Sequence, residues 1–378
     1  MEAMPHPTAE AIRTALSKVN DPEIRRPITD LDMVGEIQIT PDGEVTVGIF
    51  LTVAGCPMKE TLTRDVTAAV QAVPGVAAVR VNLGVMSAAQ RKTLQTALRG
   101  DAAEPVIPFA QPGSLTRVYA VASGKGGVGK SSVTVNLAVA LADRGLSVGV
   151  LDADIYGFSI PRMLGVHGKP TQVEQMIMPP QALGVKVISI GMFTPGNTAV
   201  VWRGPMLHRA LQQFLADVFW GDLDILLMDL PPGTGDIAIS VAQLVPSAEI
   251  LVVTTPQQAA AEVAERAGSI ALQTHQQVVG VVENMSWLEL PGGERMEVFG
   301  SGGGQAVADG LSQSLGARVP LLGQVPLDPQ LREGGDAGVP LVLSAPDSPA
   351  AKSLRAVAEK LAVRQRGLAG RSLGLTPA

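Results

Sequence analysis

A glycine-rich segment at 123–132, SGKGGVGKSS, is the feature that most constrains the fold of this chain. Gly124 to Ser131 match the Walker A pattern G-x-x-x-x-G-K-[ST]. In that motif backbone N–H groups converge on phosphates, the lysine contacts the β- and γ-oxygens, and the hydroxyl binds Mg²⁺. An apolar run, Val118 to Ala122, precedes the segment, and a helical pattern from Ser132 to Arg144 follows it. Because the motif needs this strand–loop–helix context, we interpret the segment as a phosphate loop at a helix N-terminus rather than a chance glycine turn.

Short apolar runs alternate with helical patterns along the rest of the chain. Runs that are apolar on both faces are typical of parallel strands covered by helices on both sides. The sequence therefore predicts a doubly wound α/β domain with a mostly parallel sheet over 117–366. The predicted strands are Val118–Ala122, Val148–Leu151, Val185–Ile190, Ile225–Met228, Ile250–Val253, Val278–Val282 and Pro320–Val325.

Residues 1–97 predict a separate, small α+β domain in front of this sheet. The proline-rich stretch 98–116 has the composition of a linker, and 367–378 is expected to be a disordered tail. The elements expected in the small domain are a helix over Thr8–Val19, strands Val34–Ile39 and Glu44–Leu51 joined by a turn at Pro41–Gly43, a helix over Met58–Val73, and a strand over Val76–Leu83.

The composition restricts partners and metal chemistry. A net charge of −6 and a pI near 5.3 argue against nucleic-acid binding, which depends on basic surfaces. No apolar run approaches the roughly 18 residues of a membrane span. The N-terminal segment lacks the apolar core of a secretion signal, so we expect a cytoplasmic location. The single cysteine, Cys56, excludes an intrachain disulfide and a multi-cysteine metal site within one subunit.

Two acidic motifs follow predicted strands at the same edge of the sheet as the phosphate loop. Asp152 and Asp154 end one strand, where a carboxylate can orient a water or help to organise Mg²⁺ near the γ-phosphate. The alternative is a pair of helix-capping aspartates. Asp229 ends another strand in LDILLMDLPPGTG (223–235), the Walker B arrangement that holds Mg²⁺ through water. Pro231–Gly235 would then be the switch that senses the γ-phosphate.

Two further strand ends carry residues suited to base recognition. Asn284 follows one predicted strand, and Pro326 with Asp328 follows another. An asparagine amide can both donate to and accept from adenine, and a carboxylate or backbone carbonyl can accept from its amino group. A turn-stabilising asparagine explains Asn284 equally well.

Together these motifs resemble the Mrp/ApbC family of P-loop ATPases, relatives of MinD and ParA that carry iron–sulfur clusters. The resemblance covers about 117–365. The first domain, with LTVAGCP at 51–57, resembles the small cluster-assembly domain at the N-terminus of bacterial members. The segments that carry the resemblance are Gly124–Ser131, Asp152–Asp154, DLPPGTGD (229–236), ENMS (283–286), FGSGGG (299–304) and PLDPQLREGGDAGVP (326–340).

The resemblance implies an ATP-hydrolysing carrier that uses Mg²⁺ and delivers clusters to apoprotein clients. Lys125 marks the deviant Walker A subclass, whose extra lysine reaches the nucleotide of a partner subunit, so a homodimer is expected. Lys125, Lys130 and Asp154 form the implied catalytic set, and Ser131 with Asp229 would serve Mg²⁺. The implied ATP-binding residues are Gly124, Lys125, Gly126, Gly127, Val128, Gly129, Lys130, Ser131, Ser132, Asn284, Pro326 and Asp328.

The sequence departs from the family where the cluster should bind. Family members usually carry a C-x-x-C between ENMS and FGxGGG, and the pairs from two subunits hold a cluster. Here 287–298 is WLELPGGERMEV, with Leu290 and Pro291 at the positions of the first cysteine and its proline. Because iron–sulfur clusters need thiolates, a bridging cluster is not expected at this segment.

Cys56 is therefore the one thiol that could touch a cluster. It precedes the predicted helix that starts near Met58, and a helix N-terminus can stabilise a thiolate. A small, buried core cysteine is an equally good interpretation.

The alternative function is a nucleotide-switched positioning or partner-recruiting ATPase of the MinD/ParA kind, without a cluster. MinD-like proteins bind membranes through a C-terminal helix, and Lys352–Arg366 is amphipathic. Its apolar face lacks aromatic residues, so we expect packing on the sheet and no membrane binding. The apolar residues are Leu354, Val357, Ala358 and Leu361.

Overall fold

The computed structural model describes residues 6–52, 58–99, 106–111, 113–155, 157–193, 204–233, 235–257 and 271–363. Its strands in chain order are β1 (Val34–Ile39), β2 (Glu44–Leu51), β3 (Ala78–Val85), β4 (Arg117–Ala122), β5 (Val148–Asp152), β6 (Thr171–Val173), β7 (Met176–Met178), β8 (Gln181–Ala182), β9 (Val185–Ser189), β10 (Ile225–Asp229), β11 (Glu249–Thr254), β12 (Val278–Glu289), β13 (Arg295–Met296) and β14 (Leu321–Leu327).

The helices for which both ends are described are α1 (Ala9–Leu16), α2 (Lys59–Gln71), α3 (Ala88–Arg99), α4 (Lys130–Asp143), α5 (Ile160–Met163), α6 (Gly204–Ala216), α7 (Asp236–Leu244), α8 (Gly303–Leu315), α9 (Pro329–Ala337), α10 (Leu341–Ser344) and α11 (Pro349–Ala362). The chain forms two compact units. Unit 1 comprises 1–116, 166–182 and 186–223, and unit 2 comprises 117–165, 183–185 and 224–378.

The N-terminal part of unit 1 is a three-stranded sheet with helices. Strand β2 lies in the centre, antiparallel to β1 and parallel to β3. The Thr8 hydroxyl caps α1 by accepting from the backbone N–H of Ala11 at 3.1 Å. The predicted helix cap, the hairpin between β1 and β2 and the third strand are confirmed. Helix α3 was not predicted, because its mean hydropathy is low and its apolar residues are few.

The hydrophobic core of unit 1 includes residues from distant parts of the chain. Alternate residues of β2 are buried beneath α1 and α2, as a strand with one covered face requires. Val173, Met176 and Met178, from β6 and β7, belong to the same core and are at most 2% exposed. This hairpin lies within the domain predicted over 117–366. The compact units therefore differ from the predicted boundaries here, because the hairpin's apolar side chains are buried within unit 1.

The predicted linker contributes a buried anchor. Pro108–Ala110 form a short 3₁₀ turn, and Phe109 is 2% exposed. Its ring meets the ring of Trp220 edge-on, with centroids 6.3 Å apart. A linker composition therefore does not exclude a packed aromatic residue.

Unit 2 contains the phosphate loop and the central part of a large sheet. Its strands follow the order β13–β12–β11–β4–β10–β5, and β14 pairs with β12. All these neighbours are parallel except β12 and β13. Helix α4, directly after the phosphate loop, is buried on every side over Val133–Leu141. The predicted doubly wound, mostly parallel sheet is confirmed.

The C-terminal helix α11 packs on α4 and β14. Leu354, Val357, Ala358 and Leu361 are fully buried, so the predicted packing of this apolar face is confirmed. No helix within the described ranges has the length and apolarity of a membrane span. The predicted tail, 367–378, lies outside the described residues.

Candidate functional site

The phosphate loop is held in shape by glycines at the start of α4. Gly127 and Gly129 have φ values of +79° and +78°, a backbone conformation that glycine adopts without strain. A Cβ on Gly129 would overlap the side-chain amide of Asn284. A Cβ on Gly127 would meet none of the described atoms within 4 Å. The loop is therefore packed from behind at Gly129 and borders open space at Gly127.

A buried ion pair lies at the base of the loop. Lys130, the first residue of α4, places Nζ 2.8 Å from Asp229 Oδ1, and the two side chains are 5% and 1% exposed. The Ser131 hydroxyl donates to Asp229 Oδ2 at 2.6 Å. Thr134 Oγ1 lies 2.9 Å from both Asp229 Oδ1 and the Lys130 carbonyl oxygen, so its proton serves one of them at a time.

Strand order explains why these groups meet. Strand β10 is parallel to β4, with Asp229 level with Val121, so Asp229 leaves the sheet beside the loop that follows β4. Burying a carboxylate is costly unless a cation and hydrogen bonds compensate, and Lys130, Ser131 and Thr134 supply them.

The described groups fit a magnesium nucleotide. Although Lys130 Nζ is ion-paired, it makes no well-directed hydrogen bond within the described part of the chain, so its N–H groups keep donor capacity. A lysine, a serine hydroxyl and a strand-end carboxylate beside an open glycine loop are the groups that phosphates and Mg²⁺ require.

The two aspartates after β5 have different surroundings. Asp152 is fully buried, and its Oδ2 accepts from the backbone N–H groups of Ser159 and Ile160 at 3.2 and 3.3 Å. Asp152 thus matches the capping alternative. Asp154 is half-buried, and its Oδ1 accepts from Gly157 N at 3.1 Å. Its role in positioning water stays a prediction.

Asn284 supports the phosphate loop. Its side chain is fully buried, and Nδ2 donates to the Val128 carbonyl at 2.9 Å. Its Oδ1 has no hydrogen-bond partner among the described residues, so it keeps acceptor capacity. The adenine contact itself stays a prediction.

Strand β14 extends two residues beyond its predicted end, so Pro326 lies within it, one residue after Val325, which is level with Asn284, and Asp328 directly follows the strand. Asp328 is the N-cap of α9 and accepts from Gln330 N at 2.9 Å. The described structure therefore gives Asp328 a capping role, and the adenine-binding role of Pro326 and Asp328 stays a prediction.

The structural role of Glu283, which links two of the family segments, was not predicted from the sequence. Glu283 is 1% exposed, and its Oε2 accepts from Gly304 N at 2.5 Å in the first turn of α8. Gln324 Nε2 donates to Glu283 Oε1 at 2.8 Å. A Cβ on Gly304 would lie 2.6 Å from Glu283 Cβ. ENMS and FGSGGG are thus joined by a buried carboxylate, and a charged residue inside an apolar strand was the signal available.

The switch and thiol predictions are only partly covered by the structure. Gly233 N donates to the Ser123 carbonyl at 2.9 Å, which joins the predicted switch to the phosphate loop. Thr234 and Cys56 lie outside the described residues.

The segment that should hold a cluster is a β-hairpin. Beyond Asn284, β12 continues to Glu289 and pairs with β13, with Leu288 level with Met296. The Arg295 guanidinium carbon lies 4.0 Å from the ring centre of Trp287. The hairpin contains no cysteine, and no group of three His, Cys, Asp or Glu suited to a metal occurs in the described ranges. These residues do not fit an iron–sulfur cluster.

Comparison with known protein families matches both parts of the chain. Residues 114–362 match the family model described as NUBPL iron-transfer P-loop NTPase, within the ParA group. Residues 9–83 match a family model described as iron-sulfur cluster assembly protein. The chain belongs to the NUBPL-type iron-transfer P-loop NTPases. The family suspected from its motifs is thereby confirmed.

Individual relatives of this NTPase agree. A Mycobacterium tuberculosis protein named "Iron-sulfur cluster carrier protein" is 71% identical over 367 residues, covering 97% of this chain and 96% of its own. A Deinococcus radiodurans protein of the same name is 44% identical over 356 residues, covering 93% and 94%. A nucleotide-binding protein from Archaeoglobus fulgidus, solved with ADP, is 39% identical with a TM-score of 0.51, covering 59% of this chain and 86% of its own.

Proposed function

We propose that this NTPase binds and hydrolyses ATP with Mg²⁺, works as a cytoplasmic homodimer, and delivers iron–sulfur clusters to apoproteins. The observation that carries the proposal is the Lys130–Asp229 ion pair with its two hydroxyl partners, in a chain that matches named cluster carriers over nearly its whole length.

Nucleotide binding would exchange partners within the ion-pair cluster. Lys130 Nζ keeps donor capacity at the base of the loop, and a triphosphate offers it more negative charge than a single carboxylate. Ser131 and Asp229 would hold Mg²⁺, which spreads the charge of the phosphates. Asp154 would orient the attacking water, and Lys125 would reach the nucleotide of the facing subunit.

Transmission from the nucleotide would begin at the predicted switch. Asp229 ends β10, and Gly233, four residues later, is bonded to Ser123 at the start of the phosphate loop. When Asp229 exchanges its partners, the change therefore occurs only four residues before Gly233, which is hydrogen-bonded to the phosphate loop. We propose that this segment, 231–235, alters the dimer contact when the γ-phosphate is lost.

The cargo would be held differently from a cluster bridged by C-x-x-C pairs. Each subunit has one cysteine, so a homodimer offers two thiolates, both from Cys56. Clusters are generally held by about four protein ligands, so the others would come from a small thiol or from cysteines of the client. We therefore propose labile binding that favours onward transfer.

A MinD/ParA-like positioning role without cargo is the weaker hypothesis. The match to named carriers includes the N-terminal domain, and the C-terminal helix buries its apolar face within unit 2. Neither observation favours a membrane-bound positioning ATPase.

Anaerobic reconstitution of the full-length protein with ferrous iron and sulfide tests the cargo proposal. We expect visible absorption and iron at less than one cluster per dimer, transfer of activity to an apo iron–sulfur enzyme, and loss of both in Cys56→Ser. ATP hydrolysis serves as the folding check for the variant. A stable cluster in the Cys56→Ser dimer would contradict the role of Cys56, and no cluster in any preparation would favour an ATPase that acts on cluster proteins without carrying the cargo.

A further inference from the structure

Lys125 forms a hydrogen bond within its own subunit to a residue that belongs to none of the family motifs. Its ammonium donates to the side-chain carbonyl oxygen of Gln257 in a short contact, and both side chains are half-buried. The Ser123 hydroxyl donates to the Lys125 carbonyl oxygen at 3.1 Å, which fixes the backbone of the same residue. Backbone and side chain of this lysine are thus both held in the structure.

Strand order brings the pair together. Strand β11 is the parallel neighbour of β4, and Val252 is level with Ala122. Lys125 follows the end of β4 by three residues, and Gln257 follows the end of β11 by three residues. Both therefore leave the same edge of the sheet from adjacent strands.

The position of Gln257 is defined by packing just before it in the chain. The backbone of Thr255 and Pro256 passes so close to Gly303, at the start of α8, that a Cβ on this glycine would overlap the Pro256 carbonyl. Gly304, the next residue, is bonded to the buried Glu283. The segment before Gln257 thus lies against a well-anchored helix end.

We propose that Gln257 is a positioning residue that holds Lys125 in its own subunit and releases it when a facing subunit presents nucleotide. This inference rests on the proposed function, in which Lys125 crosses the dimer interface. An amide oxygen is a neutral acceptor, whereas a triphosphate is multiply charged, so the ammonium moves to the phosphates when they come within reach. Gln257 thereby opposes dimerisation until nucleotide is bound.

The proposal is tested by dimer formation of the full-length protein with a non-hydrolysable ATP analogue, followed by analytical ultracentrifugation. Gln257→Leu removes the acceptor, so half-maximal dimerisation should need about fivefold less analogue. Gln257→Glu replaces the neutral acceptor with a carboxylate, so dimerisation should need about tenfold more. Gln305→Leu, an exposed glutamine on α8, is the matched control and should behave as wild type.

The same measurement in a Lys125→Ala background separates the possible outcomes. Both effects of Gln257 should disappear there, because the residue acts through Lys125. A Gln257→Glu effect that persists without Lys125 would show direct repulsion of nucleotide and overturn the proposal. If Lys125→Ala weakens dimerisation but the Gln257 variants match wild type, Gln257 has no holding role and the proposed function stands. If Lys125→Ala also matches wild type, the interface role of Lys125 fails, and the holding role falls with it. Thermal unfolding of each variant verifies folding.

Discussion

Strand β12 contributes to two regions, the sheet edge beside the phosphate loop and the hairpin at 285–298, and these regions differ in how deeply their residues are buried. Up to Asn284, β12 is buried, and its side chains brace the phosphate loop and the start of α8. Beyond Asn284 the strand enters a hairpin whose residues 291–298 are all exposed. The phosphate-loop lysine and serine and the strand-end aspartate meet at the buried edge, whereas the exposed hairpin lacks the cysteine pair that the family usually carries. An exposed ligand can be replaced without unfolding the protein, and a buried, cross-bonded carboxylate cannot.

The largest effect at the phosphate-loop edge is expected for Lys130→Ala. Removing the ammonium takes away the main cation at the β/γ-phosphates, so ATP hydrolysis should fall by at least about 100-fold and ATP binding should weaken. Phosphate release and nucleotide titration measure the two effects. Lys169→Ala, at an exposed lysine, is the control. Unchanged turnover in Lys130→Ala would remove the basis for a working phosphate loop.

The hairpin can be tested by returning the missing ligands. Leu290 stands at the position of the family's first cysteine, and Gly293 lies three residues later, at the spacing of a C-x-x-C pair. Gly293 N donates to the Leu290 carbonyl at 3.0 Å, so the two residues flank one turn. A Leu290→Cys/Gly293→Cys double variant would offer four thiolates per dimer from the hairpins. We expect reconstituted iron to rise several-fold above wild type, to about one cluster per dimer. The gain should persist when Cys56→Ser is added to the double variant. Leu290→Cys alone should give much less iron, and equal iron in both would contradict a shared site.

A smaller effect should distinguish the support of Asp229 from ordinary helix packing. Thr134→Val removes a hydroxyl that serves Asp229, so the free energy of unfolding in urea should fall by about 1–2 kcal/mol. Thr93→Val is matched, because the Thr93 hydroxyl also donates to the carbonyl four residues earlier, at 3.1 Å, but is exposed. Equal losses in the two variants would show that the Asp229 contact contributes nothing.

The smallest expected effect concerns the hairpin itself. Arg295→Ala removes the guanidinium over Trp287, an interaction worth about 0.5–1 kcal/mol at an exposed site. Local opening of the hairpin, measured by amide hydrogen exchange at 285–296, should increase, while global stability stays the same. Arg318→Ala, at another exposed arginine, should change neither quantity. If exchange in Arg295→Ala equals wild type, Trp287 does not depend on this contact.

The sequence was sufficient for the parts of this protein that repeat a local physical pattern. Apolar runs located the strands at the edge where Lys130 and Asp229 meet, and the phosphate-loop pattern located the helix that follows it. Glu283 was not foreseen as a structural residue, because its partners Gly304 and Gln324 are distant in the chain and the signal was a single charge. Gln257 was missed for the same reason, since only strand order brings it beside Lys125. The burial of the β6–β7 hairpin in the core of unit 1 was not predicted, because it depends on tertiary packing that the local hydrophobic pattern does not show.

That shared core has a consequence for how the chain can be divided. Val173, Met176 and Met178 are buried together with the N-terminal sheet, although some 70 residues separate them from the end of α3. A cut within 100–105 would therefore not release two self-sufficient proteins, since each piece would lose part of the apolar surface that covers the other. Produced together, the two pieces should recognise each other and co-purify without a peptide bond between them. The N-terminal sheet, β1–β3, thus depends for part of its core on residues that follow the proline-rich stretch, as one subunit of a complex depends on another.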